Sequence, residues 1–261
     1  MAKGFDCATP LTASLVKQFA SQGFTFVGRY LAEAGSWKRL SPAEAKLISD
    51  AGLYIVSFFE RYANRVREGA AAGTADGKLA LRYAQEVGQP VGSTIYAAVD
   101  YDAPAGDFNA IEAYIRAFDA QITGYEAGVY GSYYVVKAMH ERGVTAKLMQ
   151  TYAWSRGLKY DAISIYQYKN DVIVNGIGID YNESNGNAGG WKVGMAIIQQ
   201  PCLDPGVAQT VINTWIKKSW ADAEAAKKGA DSATVQALTD QQKYYNQLAN
   251  ALRDAAGLPR E

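Results

Sequence analysis

The sequence predicts an α/β protein, a (β/α)8 TIM-like barrel with a C-terminal helical hairpin. Three observations predict it. The 261 residues suffice for one barrel-sized domain. From residue 4 to about 182, short apolar runs alternate with amphipathic stretches, the pattern of parallel strands joined by crossover helices. The strand-like runs number eight, which favours a closed barrel over a doubly wound open sheet.

GFDCA (4–8) reads as the first strand, and Thr12 to Gln22 as a helix with Leu15, Val16, Phe19 and Ala20 on one face. FTFVGRYL (24–31) is the second strand. Ser41-Pro42-Ala43-Glu44 starts the next helix, with Ser as N-cap, Pro at the first helical position and Glu at the third. That helix ends at Gly52, and LYIVSFFE (53–60) follows as the third strand. A helix over 75–88 precedes the fourth strand, STIYAAVDYD (93–102), and a helix over 107–122 precedes the fifth, EAGVYGSYY (126–134). A helix over 134–142 is followed by strands near 147–153, 163–168 and 173–180. The last units have short helices or none between them.

The Gly/Asn-rich run NESNGNAGG (182–190) is the best internal boundary. It divides a barrel at 1–190 from a helical region at 191–261. Beyond Pro205, Val207, Val211, Trp215 and Ile216 share one helical face, and Val235, Leu238, Tyr245, Leu248 and Leu252 mark a second helix. These stripes suit packing on the barrel, self-association as a homo-oligomer, or binding to a surface.

Composition excludes several function classes. Lys+Arg and Asp+Glu balance at 26 each, so no concentrated basic surface argues for nucleic acid. No apolar run reaches membrane-spanning length. With Cys7, Cys202 and His140 the only Cys and His residues, no structural zinc motif exists, and no metal or other cofactor is expected. A His-based triad would have to use His140, which lies in the helix-end segment VVKAMHERG. A Cys7–Cys202 disulfide stays open, because sequence gives no distance. Eighteen Tyr and five Trp supply flat faces with a polar handle, suited to sugar stacking and to core packing alike.

Barrel chemistry sits at the C-terminal ends of the strands. The acids at those ends are Asp6, Glu60, Asp100, Asp102 and Asp180. Converging carboxylates repel one another and lose solvation, so a fold rarely collects them without a use. Alternation along a strand places Tyr96, Ala98, Asp100 and Asp102 on one face, the last two roughly 6–7 Å apart at the backbone. One such acid can hold a proton while its neighbour stays charged, as acid-assisted glycoside cleavage needs.

The strings GFDCA, YIVSFFE, AAVDYD and IDYN occur in that order and spacing, and the resemblance they carry extends over about residues 4–184. They resemble the glycoside-hydrolase-like domain of unknown function related to family 25 lysozymes, found in secreted actinobacterial proteins and phage endolysins. The resemblance implies a peptidoglycan hydrolase, a muramidase that cleaves the β-1,4 bond between N-acetylmuramic acid and N-acetylglucosamine. In that family a first-strand Asp, an Asp-x-Glu pair and a final-strand Asp line the site, and the Glu donates the proton. These positions fall on Asp6, Asp100, Asp102 and Asp180, with Asp102 where Glu would stand. The expected roles follow. Asp102 protonates the leaving oxygen, with Glu60 as its replacement. Asp100 stabilises the oxocarbenium-like charge or positions the attacking group, while Asp6 and Asp180 tune Asp102 and Asp100 and bind sugar hydroxyls. Tyr96, Tyr130, Trp154 and Gln167 line the groove, core packing being the alternative for each aromatic.

The start MAKGFDCATP shows no cleavable leader. The expectation is therefore a chain made in the cytoplasm without a signal peptide that acts at the bacterial cell wall as a phage lysis protein. Wall binding joins the roles open to the tail. Three other readings compete: a glycan-binding barrel without catalysis, a barrel holding a divalent cation on Asp6, Asp100, Asp102 and Asp180, and an assembly protein centred on the helical tail.

Overall fold

The computed structural model describes residues 1–196 and 203–259. It divides into two compact units, Met1–Ile197 and Ile198–Glu261. Cys202 falls outside the described residues, and Cys7 is buried as a free thiol.

In the first unit eight strands close in chain order into a barrel. They are β1 (Ala2–Asp6), β2 (Phe26–Leu31), β3 (Tyr54–Phe59), β4 (Thr94–Ala98), β5 (Glu126–Gly131), β6 (Leu148–Thr151), β7 (Ile165–Val174) and β8 (Ile177–Ser184). Five helices pack outside: α1 (Ala13–Ser21), α2 (Pro42–Asp50), α3 (Gly69–Glu86), α4 (Phe108–Asp119) and α5 (Tyr133–Glu141). The TIM-like expectation holds for β1 to β7, which are parallel neighbours.

The eighth strand departs from the regular repeat. It pairs antiparallel with both β7 and β1. Asn175-Gly176, at φ 51° and 83°, makes a two-residue turn of the kind that joins antiparallel strands. The strand expected at 173–180 therefore straddles this turn. No helix lies between β6 and β7 or between β7 and β8.

The barrel interior is filled by Phe26, Val56, Phe58, Tyr96, Met149 and Ile165, each burial being worth about 1.5–3 kcal/mol. Gly128 makes room for this layer, because a Cβ there would stand 2.5 Å from the Tyr96 ring. A larger outer core packs sheet against helices, with Phe5 stacked on Phe19 at 4.1 Å and edge-on to Phe24 at 5.1 Å.

The helix start read at Ser41 forms as expected, the Ser41 hydroxyl accepting the Glu44 N–H at 3.1 Å. The Glu44 side chain turns inward instead of capping. It receives Arg29 Nε at 2.8 Å and the Leu11 N–H at 2.8 Å. Arg29, fully buried, also donates to the carbonyls of Cys7 and Ala8. This buried pair ties β2, α2 and the segment leaving β1 together, directly behind Asp6.

The NESNGNAGG run is not wholly a loop, since β8 extends through Ser184. Trp191 then packs fully buried in the first unit and pairs with Ile55. Its indole N–H donates to Ser57 Oγ at 2.9 Å. These contacts carry the first unit past residue 190.

The second unit is a helical hairpin of α6 (Pro205–Val211), a π-turn (Ile212–Ile216) and α7 (Lys217–Ala226), returning through α8 (Ser232–Ala255). The expected stripe is displaced. Ile212, Ile216 and Ala249 form its small core, while Trp215 is 61% exposed and Val207 is exposed. The π-turn inserts an i→i+5 step that rotates later residues off the 3.6-residue repeat.

Candidate active site

The C-terminal ends of the parallel strands, together with the facing parts of the β7–β8 hairpin, bring a layer of polar side chains into the barrel mouth. Asp6 ends β1 and is 4% exposed. In the antiparallel register it lies opposite Asp180 of β8. Gln167 of β7 bridges them, its Nε2 donating to Asp6 Oδ2 at 2.8 Å and to Asp180 Oδ2 at 3.2 Å. Asn182 Nδ2 also donates to Asp6 Oδ2 at 2.8 Å. Tyr130 holds Gln167 in place by donating its hydroxyl to Oε1 at 2.9 Å, and the Asp171 N–H donates to Asp180 Oδ1 at 2.8 Å.

Burial pushes the Asp6 carboxyl up to about 7, and the charge of Asp180 adds to it against the two amide donors. Asp180 is raised as well, chiefly by burial. Below about pH 7 the deeply buried Asp6 carboxyl favours its protonated form.

Asp100 lies two residues beyond β4, its backbone N–H bonded to the Ala63 carbonyl at 3.1 Å. Its carboxyl is raised by burial first and by the charge of Glu60 next, with Lys38 opposing. Glu60, immediately after β3, is ion-paired to Lys38 Nζ at 2.7 Å. Lys38 in turn sits 4.6 Å from the centre of the Tyr30 ring. Tyr30 is buried, and its hydroxyl is raised by burial and by the charges of Asp6 and Glu60.

The structure thus gathers Asp6, Glu60, Asp100, Asp180, Tyr130 and Gln167 at one mouth. Gln167 proves a positioner of the two acids. Asp102 does not join them. Its side chain is 53% exposed and faces Arg156 Nη2 at 3.8 Å. The reason is that β4 ends at Ala98, so strand alternation does not carry through to residue 102. Tyr96 does not line the mouth either. It is fully buried and donates its hydroxyl to the Ala188 carbonyl at 3.0 Å, which places it toward the opposite end of the barrel, where Gly189 meets Thr94 at the start of β4. Trp154 is half-buried in the turn after β6, at φ 56°.

Sequence reasoning missed Tyr30, Lys38, Asn182 and Arg156. The first and third carried a signal: Tyr30 alternates with Gly28 on β2, and Asn182 with Asp180 on β8. Lys38 and Arg156 lie in connections without periodicity. Among the described residues no group of three or more His, Cys, Asp or Glu is placed to hold a metal ion, so the cation-binding reading lacks its ligand set. No described helix is long and apolar enough to cross a membrane. A recess of about 400 Å³ in the helical unit, lined by Ile212, Ile216, Trp220 and Ala249 among others, contains no carboxylate.

Closed barrel and acid-lined mouth together define a glycoside hydrolase-like barrel. The chain belongs to the Rv2525c-like, glycoside hydrolase-like domain family, whose model matches residues 17–195. Among solved structures it is similar to Rv2525c of Mycobacterium tuberculosis, with a TM-score of 0.66 and 24% identity over 73% of this chain and 98% of that one. The fold is also that of the catalytic domain of endolysin ply40 from bacteriophage P40 of Listeria monocytogenes, with a TM-score of 0.50 and 15% identity over 72% and 95% of the two chains. FadG of Bacillus subtilis is 28% identical over 149 residues, covering 53% of this chain but 26% of FadG, so the chain spans about a quarter of that relative.

Rv2525c is a Tat-secreted protein. That runs against the expectation of a chain made in the cytoplasm without a signal peptide that serves phage lysis.

Proposed function

We propose that the chain is a peptidoglycan hydrolase that cleaves the β-1,4 glycosidic bond by carboxylate acid catalysis. The observation that carries this reading is the raised carboxyl of Asp100 beside Glu60 at the barrel mouth, facing the Asp6–Asp180 pair. A raised acid is a proton donor, and a neighbouring ionised one stabilises developing positive charge. Asp100 takes the donor role expected of Asp102, which stands outside the layer. Glu60, held by Lys38, is the partner carboxylate for the oxocarbenium-like centre or for water. Asp6, protonated and fixed by Gln167 and Asn182, presents a donor to a sugar hydroxyl, while Asp180 presents an acceptor. Tyr130 and Trp154 supply the aromatic wall. The glycoside hydrolase-like character of the family and the fold shared with an endolysin catalytic domain support the same substrate class.

The test is release of reducing ends from purified peptidoglycan by the wild type and by Asp100→Asn. New ends that vanish in the variant support the reading, and no new ends from the wild type overturn it. The displacement of Asp102 favours a second reading, a catalytically inactive glycan-binding barrel. Tight glycan binding without cleavage would establish that one.

A further inference from the structure

The turn after β6 is built in a way that the acid layer does not explain. Trp154 and Arg156 both adopt left-handed backbone conformations, at φ 56° and 51°, which non-glycine residues enter only when their surroundings impose it. Between them Ser155 is fully buried. Its hydroxyl accepts the Tyr133 N–H at 2.8 Å and donates to the Thr151 carbonyl. Gln150 fastens the far side, donating to the Leu158 carbonyl at 2.7 Å and accepting the Tyr160 N–H at 2.8 Å. The turn is thus pinned to β6 and to the start of α5 while its two flanking side chains are left at the rim.

Arg156 lies over the Tyr134 ring at 5.4 Å and faces Asp102 at 3.8 Å, its side chain 69% exposed. Asp102 leaves from β4, Tyr134 follows β5 and Arg156 follows β6. Three consecutive strand exits therefore converge on one guanidinium at the catalytic face. The ring gives the guanidinium a face to rest on, and at 3.8 Å the carboxylate is a loose ion-pair partner beyond hydrogen-bond range. Among the described residues the guanidinium makes no hydrogen bond, so its paired donors remain for a planar anion.

We infer that Arg156 is a specificity residue that recognises a carboxylate on the glycan, with Asp102 as its resting partner. This rests on the reading of the mouth as a glycan site and names the substrate class: a carboxylate-bearing glycan rather than a neutral one. An arriving carboxylate takes the fork, and Asp102 opposes it by charge and by competition. The two partners of one ion pair then act in opposite directions, which a purely structural salt bridge would not do.

The experiment is calorimetric binding of the full chain to soluble peptidoglycan glycan strands with free carboxylates and to the same strands amidated. The wild type should prefer the free-acid strands by roughly five- to tenfold. Arg156→Gln should abolish the preference, Arg156→Lys should keep part of it, and Asp102→Asn should widen it. Equal affinity of the wild type for both strands, a preference that survives Arg156→Gln, or one that narrows in Asp102→Asn would each overturn the inference. Reducing-end assays on the same strands keep the two readings apart: preference without cleavage removes only the hydrolase, and cleavage without preference removes only the role of Arg156.

Discussion

Asp6 and Asp180 face each other across the antiparallel seam of β1 and β8 and share one amide nitrogen, Nε2 of Gln167. Two carboxylates on one donor cannot both ionise without cost.

The first consequence is a pH dependence of stability. Asp6 rises from 3.8 to about 7 on folding, so the folded chain binds this proton more tightly than the unfolded one. Stability from this group is complete below about pH 4 and is lost as the pH rises through about 7. The loss is at most about 4 kcal/mol by pH 8. Asp6→Asn keeps an oxygen for the two amide donors and should flatten the slope. Denaturant midpoints from pH 4 to 8 measure it, and an unchanged slope would remove Asp6 as its source.

Gln167 should matter more at high pH than at low. Gln167→Ala deprives both carboxylates of a donor, at a cost of about 1–3 kcal/mol. Below pH 6 the protonated Asp6 has less need of it. Urea unfolding at pH 5 and pH 8 should therefore give the larger destabilisation at pH 8.

Asp100→Asn should lower kcat for glycan cleavage by roughly 10²–10⁴-fold, the range of a lost general acid, with little change in KM. The wild-type rate should fall on the alkaline side as the raised Asp100 loses its proton. A variant that retains the wild-type rate would move the donor role elsewhere.

Arg29→Met should be the most damaging single change to the fold. It strands Glu44, whose carboxylate is buried with Arg29 and the Leu11 N–H as partners, at a cost of about 3–5 kcal/mol. Adding Glu44→Leu should recover much of the loss. Equilibrium unfolding of the single and double variants measures the coupling.

What was legible in the sequence divides along physical lines. Periodicity found the strands of the barrel and the helices between them, because each buries one face. It also brought Asp6, Glu60 and Asp100 to one end, since each lies at or just beyond the end of a parallel strand, whereas Asp180 reaches the same end from inside β8 because that strand runs antiparallel. It failed at Asp102, where the strand had already ended and the chain was free to turn the side chain outward. It failed again at Tyr96, whose alternation correctly predicts an inward side chain but not which end of the barrel the ring points to. The direction of β8 was written in Asn175-Gly176, a turn signal overlooked because the parallel repeat was extended across it. The Arg29–Glu44 pair carries no local pattern, being a contact between a strand and a helix that only packing brings together.

The hairpin that ends the barrel also sets an order of assembly. Asn182 and Asp6 are 176 positions apart in the chain, and β1 has no second neighbour in the sheet until β8 has formed. In a chain emerging from the ribosome, Asp6 therefore stays hydrated and ionised through most of synthesis. Its dehydration and proton uptake fall on the final zipping of first strand to last, the longest loop closure in the barrel. Folding should then consume a proton late, and an alkaline medium should slow the last phase of refolding while leaving earlier ones untouched.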